Sequence, residues 1–319
     1  MNRLFAAVVA ASLACGASAQ SYPERPVRIL VGYPPGGGTD LVARLIAQPL
    51  GERWGQPVVV ENRPGAAAII ATEAVVKAKP DGYTLLMAYA TELAVNPATF
   101  KKLPYDPLRD LAPIARLGAA PPVIAVHPSL PAQSVAELVA LAKAKPGALS
   151  YSSSGQGSVH QFAGELFKLR TGADIVHVPY KGSGPATADA VSGQVQVTFA
   201  SVASVLRFVQ SNRLRALAVT SPERSPQLAG VPTMKEAGVD EVQLTSWYGL
   251  LAPAGTPPEV VKKIAADLAA VMASPALANG FSAQGLDRVR DTPAQFAAFI
   301  REEAAKYARI AKAANIQQE

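Results

Sequence analysis

Cysteine is almost missing from this chain. Cys15 is the one thiol in 319 residues. That excludes a disulfide framework and any multi-cysteine metal or iron–sulfur centre. Histidine is nearly as scarce. His127, His160 and His177 are scattered, with no His-x-x-x-His pair to hold zinc. No internal apolar run approaches the ~18 residues that span a bilayer. Lysine and arginine form no block, so the clustered basic patch of a nucleic-acid binder is absent. Catalytic signatures are missing too. Ser153 has Gly155 two places after it but Tyr151 two places before, which breaks the Gly-x-Ser-x-Gly pattern of a serine hydrolase. No serine has a lysine three places later. Gly32 and Gly37 have P-loop spacing, but Gly38 stands where a phosphate-binding lysine is required. No enzyme, metal or cofactor is expected on these grounds.

What the chain does have is apolar content. Hydrophobic residues make up 49% and charged ones 17%, enough to build a full core. The length suits about two domains of roughly 100–200 residues each. At the start, Arg3 precedes an apolar run over residues 4–14, followed by Ala17-Ser18-Ala19. That order reads as a secretory signal cleaved after Ala19. Lipidation at Cys15 is a weaker rival, because the usual leucine is displaced by one place. Cleavage removes the only thiol and lowers the formal charge from +6 to +5. An exported, thiol-free chain suits the oxidising periplasm. A diffuse positive charge mildly favours anionic solutes.

Apolar runs and turn signals then alternate. Strands are expected at residues 27–31, 58–60 and 83–88, with helices after residue 38 and over 72–78. Thr39 or Asp40 is the expected cap of the first helix, and Pro49 should kink or shorten it. The pattern restarts with strands near 122–126, 149–152, 175–178, 195–199 and 216–219. Helices fall near 135–145, 159–169 and 185–192. A strand at 247–252 and two helices, near 258–273 and 293–314, finish the chain. This alternation predicts an α/β fold of two lobes, each a mainly parallel sheet flanked by helices. The expected chain crossings lie near 118–122 and 244–249. Lobe I then holds residues 20–121 and 245–319, and lobe II residues 122–244.

One arrangement occurs twice: a strand, a glycine loop, then a helix. The first copy is Pro34-Pro35-Gly36-Gly37-Gly38-Thr39-Asp40; the second is Ser153-Ser154-Gly155-Gln156-Gly157-Ser158. A helix N-terminus presents unpaired amides and a partial positive charge, and glycine lets an anion approach them. One loop in each lobe would hold a short dianion across a cleft. His160, in the first turn of the second helix, either donates to a ligand or fixes the loop.

Across the whole mature chain, the sequence resembles the substrate-binding proteins of tripartite tricarboxylate transporters, the Bug family. The resemblance is carried by Tyr22-Pro23-Glu24-Arg25-Pro26, by the first glycine loop, and by Glu61-Asn62-Arg63-Pro64-Gly65. It continues through Pro80-Asp81-Gly82-Tyr83, Leu103-Pro104-Tyr105-Asp106-Pro107, His177-Val178-Pro179-Tyr180-Lys181-Gly182 and Ala252-Pro253-Ala254-Gly255. It implies a Venus-flytrap receptor, monomeric, that captures a small carboxylate for membrane transporter subunits or for a sensor kinase. Lobe I would bind through Pro35, Gly36, Gly37, Gly38, Thr39, Asp40, Ala90 and Thr91. Lobe II would bind through Ser153, Ser154, Gly157, His160, Tyr180 and Lys181, joined by Ala200 and Ser201.

Three departures bear on the ligand. Where the family often has Asp after its strand phenylalanine, this chain has Ala200, which argues against an amino-acid ligand. Ala66-Ala67-Ala68 replaces a usually glycine-rich stretch and should reshape the rim of the first lobe. Glu92 beside a predicted loop would repel an anion, so it is expected to point away from the cleft.

Overall fold

The computed structural model describes residues 22–317; the expected signal segment and Cys15 lie outside them. Strand β1 (Val27–Val31) is fully buried except at Arg28 and feeds the first glycine loop. Helix α1 (Gly38–Trp54) follows, then β2 (Val58–Asn62), α2 (Ile69–Val76) and β3 (Thr84–Tyr89). A wide π-helical turn (Thr91–Val95) runs into the short α3 (Asn96–Thr99), and β4 (Leu111–Ala120) completes this stretch. Helix α1 does not stop at Pro49. The proline sits inside the helix, which continues to Trp54 before Gly55 turns left-handed. One missing amide is outweighed by the buried face of Val42, Ala43, Ile46 and Leu50.

The chain enters a second sheet at β5 (Pro122–Val126). There follow α4 (Val135–Ala144), β6 (Leu149–Ser153), α5 (Val159–Thr171), β7 (Ile175–Pro179) and α6 (Ser183–Ser192). Then come β8 (Val197–Ser201), α7 (Val202–Gln210) and β9 (Arg215–Val219). The chain returns to the first sheet at β10 (Ser246–Pro253), buried along its whole length. Helices α8 (Pro258–Met272) and α9 (Pro275–Ala283), the short β11 (Asp287–Arg288) and α10 (Pro293–Ala313) finish it.

The strand orders are β11-β4-β10-β3-β1-β2 and β7-β6-β8-β5-β9. Both sheets are mixed, which corrects the mainly parallel expectation. β1 runs parallel to β2 and β3, and β6 runs parallel to β7 and β8. β10 is antiparallel to β3 and β4, as is β5 to β8 and β9. The short β11 is also antiparallel to β4. β10 and β5 are the strands at which the chain enters a sheet from the other lobe. They need no helical crossover, and so they are free to run backwards.

The parallel strands place the loops. The carboxyl ends of β1, β3, β6, β7 and β8 all lead to the same gap between the sheets, the expected location for a ligand in such folds. Helix α10 packs on the π-turn and reaches the other lobe. There Tyr307 meets Phe162 of α5 edge-on, with ring centroids 5.1 Å apart.

Candidate functional site

Three adjacent glycines shape the first loop, for three different reasons. Gly36 has φ +82°, a conformation that side chains resist. At Gly38 an added Cβ would lie 2.5 Å from the Tyr248 hydroxyl. Gly37 has ordinary extended angles and only an ordinary contact, 3.5 Å from the Pro34 carbonyl. It is the N-cap of α1, and no side chain caps the helix there. The expected cap at Thr39 or Asp40 is therefore corrected to Gly37, two or three residues earlier. The Gly37 carbonyl accepts from Leu41, so the amides of Gly38, Thr39 and Asp40 have no acceptor within the helix.

Asp40 braces this loop from behind. Its carboxylate accepts from the Gly36 amide at 2.9 Å, from Arg44 Nε at 3.0 Å and from Asn62 Nδ2 at 2.9 Å. Burial raises its pKa, but the bonds from Arg44, Gly36 and Asn62 outweigh burial and hold it below the usual range.

The second loop is tied to the next one. The Tyr180 amide donates to the Ser153 carbonyl and the Gly182 amide to that of Ser154, at 3.2 and 3.0 Å. The Ser154 hydroxyl pairs with His160 Nδ1 at 2.7 Å. His160 Nε2 is buried and has no partner within the protein. Burial lowers the His160 pKa to about 4, so the ring is neutral near pH 7.

A cleft of about 560 Å³ joins these pieces. Pro35, Gly36, Gly37, Gly38 and Thr39 line it from one side; Ser154, His160, Lys181 and Ser201 line it from the other. The remaining expected residues do not line it. Asp40 is behind the loop. Ala90 and Thr91 are buried at the start of the π-turn. Ser153 turns to His177, its hydroxyl 2.7 Å from Nε2. The Gly157 amide is spent on Gln161 Oε1 at 2.6 Å. The Tyr180 hydroxyl donates to Asp189 at 2.7 Å. Ala200 is buried in the core of β8, so its identity does not bear directly on what the cleft accepts. Ala66-Ala67-Ala68 likewise lie off the cleft.

Other residues complete the site. Tyr33, Tyr89 and Tyr248 form an aromatic wall: Tyr89 lies 6.1 Å from Tyr33 and 5.1 Å from Tyr248 between ring centroids. Burial keeps all three hydroxyls protonated. Ser183 and Gly184 open α6, and Ala203 and Ser204 open α7; both helix starts face the cleft without a side-chain cap. The serines carried a weak sequence signal, each just after a strand end. The tyrosines carried none, being scattered over 215 positions of chain.

Helix N-termini α1, α5, α6 and α7 thus converge on one space. Lys181 is the only charged side chain among its lining residues, and no ion pair occupies it among the described residues. Such a space offers amides, hydroxyls and one cation, which suits an anion. Glu92 is behind the aromatic wall, as expected. It is wholly buried, accepts from the Tyr33 hydroxyl at 2.8 Å and from the Tyr89 amide at 2.9 Å. Burial pushes its pKa up to about 7, although the bonds from Tyr89 and Tyr33 oppose the rise.

Two α/β lobes around a cleft of this kind define a solute-binding protein of the periplasmic receptor class. The comparisons give the family. A model described as "Tripartite tricarboxylate transporter family receptor" matches residues 42–316. Protein BugT of Bordetella pertussis (strain Tohama I) is 39% identical over 317 residues, 98% of this chain and 97% of that protein. The solved structure "R. palustris Rpa4515 with adipate" is 35% identical with TM-score 0.84, covering 93% of this chain and 99% of that one. MatC (Rpa3494) from Rhodopseudomonas palustris with bound malate is 29% identical with TM-score 0.80, covering 91% and 99%. This chain belongs to the tripartite tricarboxylate transporter receptor family.

Proposed function

We propose that the protein is a periplasmic receptor that captures a small organic carboxylate and presents it to a tripartite tricarboxylate-type membrane transporter. The observation that carries this reading is the convergence of helix N-termini from both lobes, three of them uncapped, on a cleft with one lysine and no carboxylate. The ligand's carboxylates take the place of the missing caps. The adipate and malate complexes of two relatives support the ligand class. In this reading a signal cleaved after Ala19 delivers the chain to the periplasm, and the lobes divide at residues 121 and 245. Closure follows because a ligand touching both lobes binds the closed form better.

A thermal-shift panel of small mono-, di- and tricarboxylates tests this. A ligand at 100 times its Kd adds about 2.7 kcal/mol of stability. Gly37→Leu is the matched control. Its backbone angles are ordinary and its Cβ has room, so the variant folds while its side chain fills the anion space. We expect a clear shift in the wild type and none in the variant. No shift with any carboxylate overturns the proposal; an equal shift in Gly37→Leu removes the first loop from the site.

A further inference from the structure

We propose that Glu92 is a positioning residue through which the cleft takes up one proton as it captures an anion. The inference rests on the receptor reading above and deepens it.

Both carboxylate oxygens of Glu92 are committed to the cleft wall. Oε2 accepts from the Tyr33 hydroxyl and Oε1 from the Tyr89 amide, and both of those residues line the cleft. The Tyr105 hydroxyl donates to the Glu92 backbone carbonyl at 2.9 Å. No lysine, arginine or histidine pairs with Glu92 among the described residues. The groups that face it are Tyr33, Tyr89 and Tyr105, all neutral. From α10, packed on the same turn, come Tyr307 and Glu303, whose charge is met by Lys306. Tyr248 packs on Tyr89 from β10 with its ring tilted by 42°, and Lys181 and His160 lie in the cleft itself.

A carboxylate held only by dipoles in a dry setting sits on the edge of protonation. Its ordinary value has moved to about 7 by burial. A ligand carboxylate on the far side of the tyrosine wall adds negative charge and excludes water, and both effects favour the protonated form. The hydrogen bonding allows this change with one rotation, in which the Tyr33 hydroxyl turns its own hydrogen away from Oε2. The proton comes from solvent and resides on Oε2, where the Tyr33 hydroxyl oxygen accepts from it. Oε1 still accepts from the Tyr89 amide. Glutamine reproduces that arrangement: Nε2 donates to the Tyr33 oxygen and Oε1 accepts from Tyr89. Glu92→Gln is therefore a permanent copy of the protonated state.

The test is calorimetric titration of the wild type with adipate, at pH 6.5 and 8 and, at pH 7, in two buffers of different ionisation enthalpy. Adipate's own carboxyls are ionised through most of this window. For a Glu92 pKa moving from about 7 to about 8 on binding, Kd should weaken about fourfold from pH 6.5 to 8, with about 0.4 proton taken up at pH 7. Glu92→Gln should bind at pH 8 as tightly as the wild type does at pH 6.5, with proton uptake near zero. Adipate binding to the wild type without proton uptake overturns the inference and leaves the receptor reading intact; so does uptake that persists in Glu92→Gln. Proton counting on the wild type needs no variant to fold. If adipate does not bind, malate replaces it. If no carboxylate binds, the receptor reading falls and this inference with it.

Discussion

Ala66, Ala67 and Ala68 show how a single residue type is held where another would rest easily. All three have positive φ, at 47°, 51° and 67°. An L-residue in the left-handed region costs roughly 1–2 kcal/mol relative to the helical one, and glycine escapes most of that cost. The strain is held by the surroundings. The Ala67 carbonyl accepts from Asn96 Nδ2 at 2.9 Å, and that of Ala68 accepts from the Thr72 hydroxyl at 2.9 Å. Ala67→Gly should therefore stabilise the protein by about 0.5–1 kcal/mol net of the added freedom of the unfolded chain. A rise in the urea midpoint at constant slope checks it; a fall would mean that the methyl group contributes more packing than the backbone loses in strain. The sequence flagged this stretch for bulk at the cleft rim. It could not show that the cost is conformational, because φ is set by the fold around the segment.

Among elements, the helix starts matter most. Where a cap is present, as with Ser158 accepting from Gln161 at 3.1 Å or Thr292 in its capping box, the helix end is closed. Three of the helices without a side-chain cap, α1, α6 and α7, begin at the cleft. The strand–glycine–helix pattern made α1 and α5 legible, because glycine is a local signal. Helix α7 was not legible. The strand was expected at 195–199 with nothing before the strand at 216–219, and β8 runs to Ser201 straight into the helix with no turn residue between them. Strand β4 and helix α9 were missed for a related reason: Pro113 and Gly118 interrupt one, and Gly280 the other. The aromatic wall was hidden because long-range pairing of β1, β3 and β10 brings its members together. Asp40 is the test of how firmly an open helix start must be supported. Asp40→Ala leaves the Gly36 amide without its acceptor and Asn62 Nδ2 with only the Tyr33 carbonyl, a loss of about 2 kcal/mol. Because the folded pKa of Asp40 is depressed, its stabilising effect is present above the ordinary aspartate range and is lost as pH falls through the folded value. Urea unfolding should show the deficit of Asp40→Ala at pH 7 and less of it in acid. An equal deficit at both would assign the loss to packing.

At the scale of the whole molecule, two lobes share one cleft, and the buried groups behind it set how stability responds to pH. The sequence conveyed the α/β class and the approximate places where the chain changes sheets, since strand and helix periods are local. It did not convey strand direction, which the long-range connections decide. Nor could it convey that Glu92 would be wholly buried without a cation. That burial has a global consequence with a definite sign. The carboxyl is raised from 4.5 to about 7 in the folded protein. Between those values the folded state holds a proton that the unfolded state has released. The Glu92 contribution to stability must then fall as pH rises from about 4.5 through 7, and level off above, while buried His160, lowered to about 4, contributes in the opposite direction below its ordinary value. The accumulated penalty by pH 8 is about 3 kcal/mol. Glu92→Gln removes the ionisable group, keeps the bond from the Tyr89 amide and reverses the one to the Tyr33 hydroxyl, so it should stabilise the ligand-free protein at pH 8 and leave it nearly unchanged at pH 4.5. Denaturant unfolding of both proteins across this range decides the matter. A variant less stable than the wild type at every pH would show that the ionised carboxylate, in its contacts with Tyr33 and Tyr89, holds the wall better than a neutral group can.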